Sequence, residues 1–463
     1  MKSIYNLYKI NLNIENIKTN SKEIEEGDIF ACVKGNSNRH DFVNEAIEKG
    51  ARLLIVSKKD NYKIPYIKVK NVDKELIKIL KFFYNDYLNI NLIGVTGTDG
   101  KTTTATIIRD MLENTAYIGT NGVISDRMNE PLNNTTPSIE KTYYYLNRLY
   151  KEGIKNVAIE ASSEGLLNNR LEGLKFKRAI LTNITEDHLN VHKTIDNYIK
   201  CKRKLFNKLS NDGIAILNRD DIYYNRFKTI KNKKLTYGKN RYSTLRIINF
   251  KEKENQTIIK YRYKHKEYEV VSPLLGEFNV YNLSAAILTL LSYSIDFNNI
   301  KSLVNKVKTP SGRVEFLDYN QDYKIIIDYA HTENGIKNIL TFLNKIKRNR
   351  IITVTGAAGG REVENRSKKG KVLQSLSDIV IYTMDDPRYE KVLDIIDMMV
   401  DKRRDNYIIE ENREIAIQKA LDIAKTEDIV AILGKGRDNY MAIKDYKIYY
   451  SDINVLDKYF KEL

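Results

Sequence analysis

The feature that most constrains the fold is a series of short apolar runs, each ending in small or polar residues and followed by a segment of helical character. Between residue 91 and about residue 308 these runs include "LIGVTG", "NVAIEAS" and "RAILTNI". Continuous apolar runs of this kind are typical of parallel strands that are buried on both faces. Because ligands bind at the carboxyl ends of strands in open α/β sheets, the runs predict a site that includes Thr102, Glu160 and Asn183.

The flanking segments predict two further α/β units. In the first ~90 residues, "GDIFACVKG" and "ARLLIVS" predict strands, while "HDFVNEAIEKGA" and "DKELIKILKFFYNDYL" predict amphipathic helices. After the turn at Pro310 and Gly312 the alternation restarts with "YKIIIDYAH", "RIITVTGAAGG", "DIVIYTMDDPR" and "DIVAILGKGRD". We therefore predict an α/β protein with mostly parallel sheets and three domains, at residues 1–90, 91–308 and 309–463, which suits a chain of 463 residues.

The composition points to a reducing compartment. Cys32 and Cys201 are the two cysteines and lie far apart in sequence, so a disulfide framework is not expected. No apolar segment reaches the ~18 residues that a membrane span requires, and the N-terminus alternates polar and apolar residues, unlike a signal peptide. We expect a cytoplasmic protein that does not enter a membrane.

The net charge of +17 would suit a nucleic-acid partner. The lysines, however, are scattered through every segment, and neither zinc-finger spacing nor an RNP-like aromatic motif accompanies them. We therefore expect no nucleic-acid partner, whereas an anionic small molecule would benefit from the same positive field.

The stretch "GVTGTDGKTTT" (Gly94 to Thr104) predicts a nucleotide-phosphate site. It combines a glycine-rich turn with Lys101 and Thr102 at the start of a helix, which together offer backbone N–H groups, a cation and a Mg²⁺-binding hydroxyl. The strict P-loop pattern is not met, because position 95 is Val where that pattern needs Gly. A plain strand–turn–helix corner remains the alternative.

Further along, carboxylate and imidazole groups follow the apolar runs. Glu160 ends "NVAIE", and "TNITEDHLNVH" brings Asp187, His188 and His192; such groups could hold Mg²⁺ or order a water, or could merely cap helices. The helix "YIKCKRKLF" carries four basic residues, which local pattern alone describes as a solvated face. The segments "DYAHTENG" and "DDPR" also follow strands, and Arg388 in its proline turn suits bidentate carboxylate recognition, with an exposed loop arginine as the alternative.

Taken together, the motifs resemble the Mur ligases, and most closely the UDP-N-acetylmuramoyl-tripeptide synthetase (MurE-type) group, along nearly the whole chain. The matches run in order through "GDIFACVKG", "GVTGTDGKTTT", "GTNG", "NTTP", "EASSEGL", "TNITEDHLNVH", "YIKCKRKLF", "GRVEF", "DYAHT", "DDPR" and "GKGRDNY". The resemblance implies a UDP-binding domain, a central ATPase domain and a C-terminal Rossmann-like domain. It also implies that ATP activates a muropeptide carboxylate as an acyl phosphate, which an amino acid then attacks, in peptidoglycan synthesis for cell-wall biogenesis, cell shape and cell division.

The resemblance also implies roles for individual residues. Positions that match the ATP side are Gly97, Thr98, Gly100, Lys101, Thr102, Thr103, Asn183, Arg313, Asp328 and His331. Positions that match metal coordination are Thr102, Glu160, His188 and Lys202, and of these Glu160, His188 and Lys202 count as catalytic together with Lys101. Lys202 matches the lysine that becomes carbamylated in the family. Positions that match the muropeptide site are Ser21, Thr135, Thr136, Ser162 and Arg170, and those that match the amino-acid pocket are Asp386, Arg388, Gly434 and Asp438.

Several positions depart from the family pattern. Asp99 replaces the usual Asn of "GTNGK", Glu164 replaces a His, "DNPR" reads "DDPR", and "GKGHE" reads "GKGRD". Asp99 places a negative charge beside phosphates, which is unfavourable unless it is compensated. Arg388 retains the feature that accompanies diaminopimelate selection, so we expect meso-diaminopimelate as the added residue, with L-lysine or another amino acid as the alternative.

Three other interpretations stay open. A folylpolyglutamate synthetase-like ligase shares the carboxylate activation, a paralogue could act on another muropeptide or bind without catalysis, and a basic nucleic-acid NTPase could use the same glycine-rich loop. The expected partners are a UDP-muropeptide and an amino acid, the expected cofactors are ATP and Mg²⁺, and we expect a monomer.

Overall fold

The computed structural model describes residues 2–33, 39–253, 255–361 and 363–462. Contacts divide the chain into two compact units: the first unit is Met1–Ile93 with Asn114–Lys177, and the second unit is Gly94–Glu113 with Arg178–Leu463. The chain enters the second unit within one strand and returns to it within another.

The elements up to residue 96 include a small four-stranded parallel sheet, an antiparallel pair of short strands, and helices. The strands are β1 Lys2–Ser3, β2 Asn13–Ile14, β3 Ile17–Lys18, β4 Ile29–Ala31, β5 Leu53–Val56, β6 Tyr66–Lys68 and β7 Asn91–Thr96, and the helices are α1 Tyr5–Tyr8, α2 Val43–Glu48 and α3 Val72–Phe83. Strands β3 to β6 pair in sequence order and in parallel. The strand predicted from "GDIFACVKG" is observed as β4, which is shorter than expected. Residues 34 and 35 of this segment lie outside the described chain.

Helix α3 illustrates how the sequence specifies an element. Asn71 is its N-cap, and the Asn71 side chain accepts a hydrogen bond from the backbone N–H of Lys74 at 2.9 Å. Its buried side chains follow helical spacing, and they are Val72, Leu76, Ile79, Leu80 and Phe83. The predicted helix was extended five residues too far, because a 3₁₀ turn replaces it at Asn85–Asn89.

The next elements carry the predicted strand–loop–helix pattern. They are α4 Lys101–Met111, β8 Thr115–Gly119, β9 Gly122–Ile124, β10 Asn129–Glu130, α5 Ile139–Lys151, β11 Asn156–Glu160, α6 Ser163–Leu167 and β12 Phe176–Leu181. In the first unit, β11 pairs in parallel with β8, while β9 and β10 continue the sheet antiparallel. Both β8 and β11 are buried along their whole length, as expected for strands covered on both faces.

From residue 178 to residue 308 the second unit departs from a simple α/β alternation. Its elements are α7 Leu189–His192, α8 Ile195–Phe206, β13 Leu209–Asn218, α9 Tyr224–Phe227, β14 Lys233–Gly238, β15 Leu245–Lys253, β16 Gln256–Tyr263, β17 Lys266–Ser272, α10 Glu277–Ser292 and α11 Phe297–Val304. Strands β15, β16 and β17 form an antiparallel meander. Because one face of this ribbon stays exposed, the residues of β15 and β16 alternate in burial. The expected continuous repetition to residue 308 was wrong in this part.

The C-terminal part of the second unit is a doubly wound sheet. Its elements are β18 Glu315–Leu317, β19 Lys324–Asp328, α12 Glu333–Ile346, β20 Ile351–Thr355, α13 Arg366–Leu376, β21 Ile379–Tyr382, α14 Val392–Met399, β22 Tyr407–Ile409, α15 Arg413–Ile423, β23 Ile429–Leu433, β24 Tyr440–Ile443, β25 Tyr446–Tyr449 and α16 Asp452–Glu462. The strand order is β18-β19-β23-β20-β21-β22, parallel except for the edge strand β18. The four strands predicted here are therefore all present.

Two cores cover the two faces of this sheet. Ile326 packs in one core with side chains of α12, α13 and α14, whereas Ile325 and Ile327 pack in the other with side chains of α15 and α16. Alternation along a single strand thus explains why "KIIID" is apolar at every central position. In the described chain, no helix is long and apolar enough to cross a bilayer.

Candidate active site

The glycine loop, defined as Gly97–Gly100, connects β7 to α4 and packs too closely to admit side chains at its glycines. A Cβ atom on Gly97 would lie 1.8 Å from Oγ1 of Thr182, and one on Gly100 would lie 2.2 Å from Oδ1 of Asn282. Gly100 also has a φ of +80° and is the N-cap residue of α4. The loop therefore has the strand–turn–helix shape that the sequence predicts, although Val95 breaks the strict pattern.

Two lysine side chains donate to carbonyl oxygens of the glycine loop. Lys101 Nζ lies 3.1 Å from the Gly97 oxygen and 2.6 Å from the Thr98 oxygen, and Lys202 Nζ lies 2.6 Å from the same Gly97 oxygen. Lys202 is 1% exposed, whereas Lys200 on the same helix is exposed. Burial, and then the charge of Lys101, hold the pKa of Lys202 well below its usual range.

Asp99, the acidic departure in the glycine loop, has a complete set of hydrogen-bond partners. Its backbone N–H donates to Asn183 Oδ1 at 2.9 Å, and its carbonyl accepts from Thr182 Oγ1 at 2.6 Å. Its carboxylate accepts from Thr332 Oγ1 at 3.3 Å and from Asn334 Nδ2 at 3.1 Å. The compensation that its charge requires thus comes from neutral donors at the start of α12, a contact that the sequence analysis missed.

A cavity of about 430 Å³ lies beside the glycine loop within the second unit. Six residues that the resemblance assigned to ATP line it, namely Gly100, Thr103, Asn183, Arg313, Asp328 and His331. Lining residues that the sequence analysis did not single out include Asp220, Asp221, Tyr281, Asn282, Tyr329 and Asn334. Its size, and a lining that combines apolar and polar groups, suit a small-molecule ligand.

Arg313 and Asp328 are held by defined contacts at this cavity. The Arg313 guanidinium stacks on the Tyr329 ring at 4.7 Å, and its Nη2 lies 3.4 Å from Thr102 Oγ1. Its buried Nε has no hydrogen-bond partner among the described residues. The Asp328 carboxylate accepts from the N–H groups of Val314 and Ala330, both at 2.7 Å, and burial raises its pKa. Asp328 therefore shapes the loop that carries His331.

His188 begins the short helix α7 in a left-handed conformation, with a φ of +53°. Its Nε2 lies 3.5 Å from Oδ2 of the buried Asp187. Across residues 2–33, 39–253, 255–361 and 363–462, no three His, Cys, Asp or Glu side chains are grouped so as to hold a metal. A metal role for His188 remains a prediction that depends on oxygen donors of other residue types.

The predicted amino-acid pocket contains an acidic cluster around one buried lysine. Lys435 Nζ lies 3.0 Å from Asp386, 3.8 Å from Asp385 and 4.0 Å from Asp438. Burial opposes its charge, but the three carboxylates outweigh burial and raise the pKa of Lys435. Gly434 lies beside the cluster, where a Cβ atom would approach Asp385 Oδ2 to 2.5 Å. Asp386 and Asp438 of this cluster were predicted from the sequence, whereas its cation, Lys435, was not.

Arg388 and Arg437 differ in how they are placed. Arg388 is half-buried and has a φ of +53°, and its backbone is held by hydrogen bonds to Ala442 and Lys444. Arg437, the cation introduced by "GKGRD", donates to both carboxylate oxygens of Glu315, at 3.0 and 2.5 Å. Its charge is therefore balanced within the chain.

In the first unit, the predicted muropeptide residues meet around Thr136. This fully buried residue donates its hydroxyl to the Glu160 carbonyl at 2.7 Å, contacts Ser162 Oγ at 3.0 Å, and accepts a bond from Arg170 through its carbonyl at 2.8 Å. Thr135 Oγ1 lies 3.1 Å from Thr120 Oγ1. These contacts place four of the predicted residues together.

Glu160 and Ser21 make separate contacts in the same unit. The buried Glu160 carboxylate accepts from the Thr120 N–H at 3.0 Å and from the Tyr117 hydroxyl. Ser21 is buried and donates its hydroxyl to Glu45 at 2.6 Å. The departure Glu164 lies in the first turn of α6, where a carboxylate is favoured by the backbone N–H groups.

Comparison with known proteins identifies similar chains. The Mur ligase middle domain matches residues 95–290, and the Mur ligase glutamate ligase domain matches residues 312–436. A UDP-N-acetylmuramoyl-L-alanyl-D-glutamate--2,6-diaminopimelate ligase of Aquifex aeolicus (strain VF5) is 38% identical over 455 residues, which cover 96% of this chain and 93% of that one.

Two further similar proteins extend the comparison. UDP-N-acetylmuramyl-tripeptide synthetase 2 of Oceanobacillus iheyensis (strain DSM 14371 / CIP 107618 / JCM 11309 / KCTC 3954 / HTE831) is 33% identical, covering 96% of this chain and 94% of its own. The crystal structure of the MurF ligase of Thermotoga maritima in complex with ADP superposes with a TM-score of 0.69 at 20% identity, covering 97% of each chain.

Proposed function

The chain belongs to the Mur ligase family, ATP-dependent enzymes that form amide bonds, and we propose that it joins meso-diaminopimelate to UDP-N-acetylmuramoyl-L-alanyl-D-glutamate. The observation that carries the proposal is the glycine loop, to which Lys101 and Lys202 donate hydrogen bonds and whose residues Asp99 and Gly100 line a cavity sized for a nucleotide. We further propose that residues 1–90, 91–308 and 309–463 form the UDP-binding, ATPase and amino-acid-binding domains, respectively.

The ATP role is supported by complementary charge at the glycine loop. Lys101 and Arg313 are cations at this loop, and the buried Nε of Arg313 can donate to a phosphate oxygen. The N–H groups at the start of α4 add further donors to an anion. In this assignment Asn183, Asp328 and His331 line the nucleotide side of the cavity.

The proposed reaction solves a specific chemical problem. A carboxylate is a poor electrophile at neutral pH, so a carboxylate oxygen of the muropeptide first attacks the γ-phosphorus of ATP, and ADP leaves. The resulting acyl phosphate is attacked by the amine of the amino acid, the amine loses a proton, and inorganic phosphate leaves as the amide bond forms. Positioned cations stabilise the negative charge that is transferred with the phosphoryl group.

The residues assigned to Mg²⁺ have donor atoms that suit a hard cation. Thr102 offers a hydroxyl oxygen, and Glu160 offers a buried carboxylate that donors from Thr120 and Tyr117 hold in place. His188 would supply an imidazole nitrogen. When bound, the metal would neutralise charge on the phosphates.

The family resemblance assigns Lys202 the carbamylated position, and its burial and contacts are compatible with that assignment. A carbamate forms when a neutral amine adds to CO₂, and an amine that is enclosed beside Lys101 favours its neutral form. The product would replace a buried amine with an anionic oxygen ligand. Incubation with and without bicarbonate, followed by activity measurement, tests this assignment, because an uncarbamylated enzyme is expected to be activated by bicarbonate.

The amino-acid assignment depends on both signs of charge in the pocket. Asp386 and Asp438 would face the ammonium groups of diaminopimelate, while the Arg388 guanidinium would pair with its second carboxylate. Arg437 does not compete for the second carboxylate of diaminopimelate, because the Arg437 guanidinium already donates to Glu315. In the first unit, Ser21, Thr135, Thr136, Ser162 and Arg170 would position the UDP-muropeptide. We place the reaction in the cytoplasm and expect a monomer.

The deciding experiment measures phosphate release from Mg·ATP with UDP-N-acetylmuramoyl-L-alanyl-D-glutamate, adding meso-diaminopimelate, L-lysine and other amino acids one at a time. Release with diaminopimelate alone is the expected result. Release with another amino acid would retain the ligase and overturn the pocket assignment. If folded protein releases no phosphate with any amino acid, the result would favour a paralogue that acts on another muropeptide or binds without catalysis.

A further inference from the structure

We infer that Asp99 is a positioning residue, which fixes the loop after β19 against the glycine loop by accepting hydrogen bonds from Thr332 and Asn334. The inference rests on the proposed function, because it concerns the same nucleotide cavity. It assigns a task to a residue whose charge alone would disfavour a phosphate ligand.

The Asp99 carboxylate uses both oxygens for this contact. Oδ1 accepts from the Thr332 hydroxyl at 3.3 Å, and Oδ2 accepts from the Asn334 amide at 3.1 Å. Thr332 Oγ1 also accepts from the Gly335 N–H at 2.9 Å, as the N-cap of α12. The hydroxyl therefore connects the carboxylate to the backbone of a 14-residue helix.

The backbone of Asp99 is fixed independently of its side chain. Asn183 and Thr182, at the end of β12, bind its N–H and carbonyl groups. Because the backbone is held on one side and the carboxylate on the other, Asp99 connects the end of β12 to the start of α12. Both connected segments line the cavity, through Asn183 on one side and Asn334 on the other.

The loop that this contact fixes carries the groups proposed to face the nucleotide. It runs from Asp328 through Tyr329, whose ring supports Arg313, to His331 and then Thr332. Loss of the Asp99 contact would let this wall of the cavity move relative to the glycine loop. Donors at the start of α12 also balance the charge of Asp99, because the N-terminus of a helix favours a carboxylate.

The pairing of a carboxylate with an amide makes the inference testable by exchange. In an Asn334→Asp variant two carboxylates would face each other at the position of a hydrogen bond, which is repulsive. In an Asp99→Asn variant the amide oxygen can still accept from Thr332, and the Asn334 amide can turn its own oxygen toward the new NH2 donor. In the double variant the amide and the carboxylate have changed places, so donor and acceptor match again.

The experiment measures the Kd of Mg·ADP by calorimetry and the KM for ATP in the ligase assay, with melting temperature as a check on folding. We expect Asn334→Asp to weaken ADP binding about ten-fold or more, and Asp99→Asn to change it less than about three-fold. The double variant should bind within about three-fold of wild type. Asn334→Ala, which removes the donor without adding charge, should weaken binding a few-fold, and Asp99→Asn should add nothing to that loss.

Asn338→Asp is the matched control, since it adds the same charge one turn further along α12. If Asn338→Asp weakens ADP binding, adding Asp99→Asn to that variant should not restore the lost affinity. If the wild-type protein binds Mg·ADP but the affinity losses of the two single variants add up in the double variant, the inference is overturned and the proposed function stays intact. If the folded wild-type protein binds no adenine nucleotide, the proposed function and this inference both fail.

Discussion

The Nζ atom of Lys202 lies 2.6 Å from the carbonyl oxygen of Gly97, enclosed by the protein. Four basic side chains occupy the same helical segment, yet this one alone is nearly removed from solvent among Lys200, Lys202, Arg203 and Lys204. Burial of a lysine side chain with few partners costs folding free energy through desolvation. The enclosure of Lys202 therefore indicates a functional role.

We predict that Lys202→Met reduces ligation at least about 100-fold, since the site loses the amine that would be carbamylated to supply an anionic oxygen ligand. The melting temperature should stay the same or rise, because an apolar side chain of similar length replaces a buried amine. Phosphate release and differential scanning fluorimetry measure the two effects. Lys200→Met, the same change at an exposed position of α8, should alter neither. Retained activity in Lys202→Met would contradict the role.

Arg388→Ala should raise the KM for meso-diaminopimelate at least about ten-fold, because a charge-assisted hydrogen bond contributes about 1.5–3 kcal/mol. The KM for ATP should change little. Initial rates at saturating muropeptide test this, with Arg403→Ala as control because Arg403 is exposed and pairs with Asp401. Equal turnover of diaminopimelate by Arg388→Ala would remove the basis for the amino-acid assignment.

Disruption of the buried ion pair between Arg413 and Asp452 should destabilise the C-terminal sheet. Two bonds of 2.8 Å join the side chains, and Arg413 also donates to the Leu433 carbonyl at 3.0 Å, directly before Gly434. Arg413→Ala should cost about 3–5 kcal/mol, because it leaves a buried carboxylate without its partner.

Urea denaturation of this variant provides the measurement. Arg348→Ala removes an exposed pair with Glu427 and should cost less than about 1 kcal/mol. A double variant, Arg413→Met with Asp452→Leu, should be more stable than Arg413→Ala. Equal stability of Arg413→Ala and wild type would show that the pair contributes nothing.

The pair between Arg437 and Glu315 should give a pH-dependent contribution. Burial opposes ionisation of Glu315, but hydrogen bonds from Arg437 and the Gly312 N–H outweigh it and lower its pKa below the ordinary 4.5. A lowered carboxyl pKa stabilises the folded state above the unfolded-state value, and that contribution is lost as pH falls through the folded-state value.

Glu315→Gln should therefore lower the melting temperature at pH 7, by the equivalent of at most about 1 kcal/mol because the pair is partly exposed. The difference from wild type should shrink as the pH is lowered below the ordinary pKa of glutamate. Circular dichroism melts at a series of pH values measure this. A difference that grows at acid pH would contradict the assigned direction.

Local sequence patterns determined much of the architecture. Apolar runs such as "KIIID" predicted buried strands, and Gly100 with Lys101 predicted the turn before α4, because strand burial and helix starts depend on neighbouring residues. The antiparallel meander formed by β15, β16 and β17 was not predicted. Whether two strands pair parallel or antiparallel depends on how they come together in the folded chain, and not on their composition alone.

The contacts that give the candidate site its chemistry were decided by tertiary structure. Asp99 meets Thr332 across 233 positions of sequence, and Arg437 meets Glu315 across 122. The helix containing Lys202 predicted a basic face, but only packing of α8 against the glycine loop selects which lysine is enclosed. Helical and strand periodicity is encoded over a few residues, whereas charge balance and desolvation depend on segments that folding brings together from distant parts of the chain.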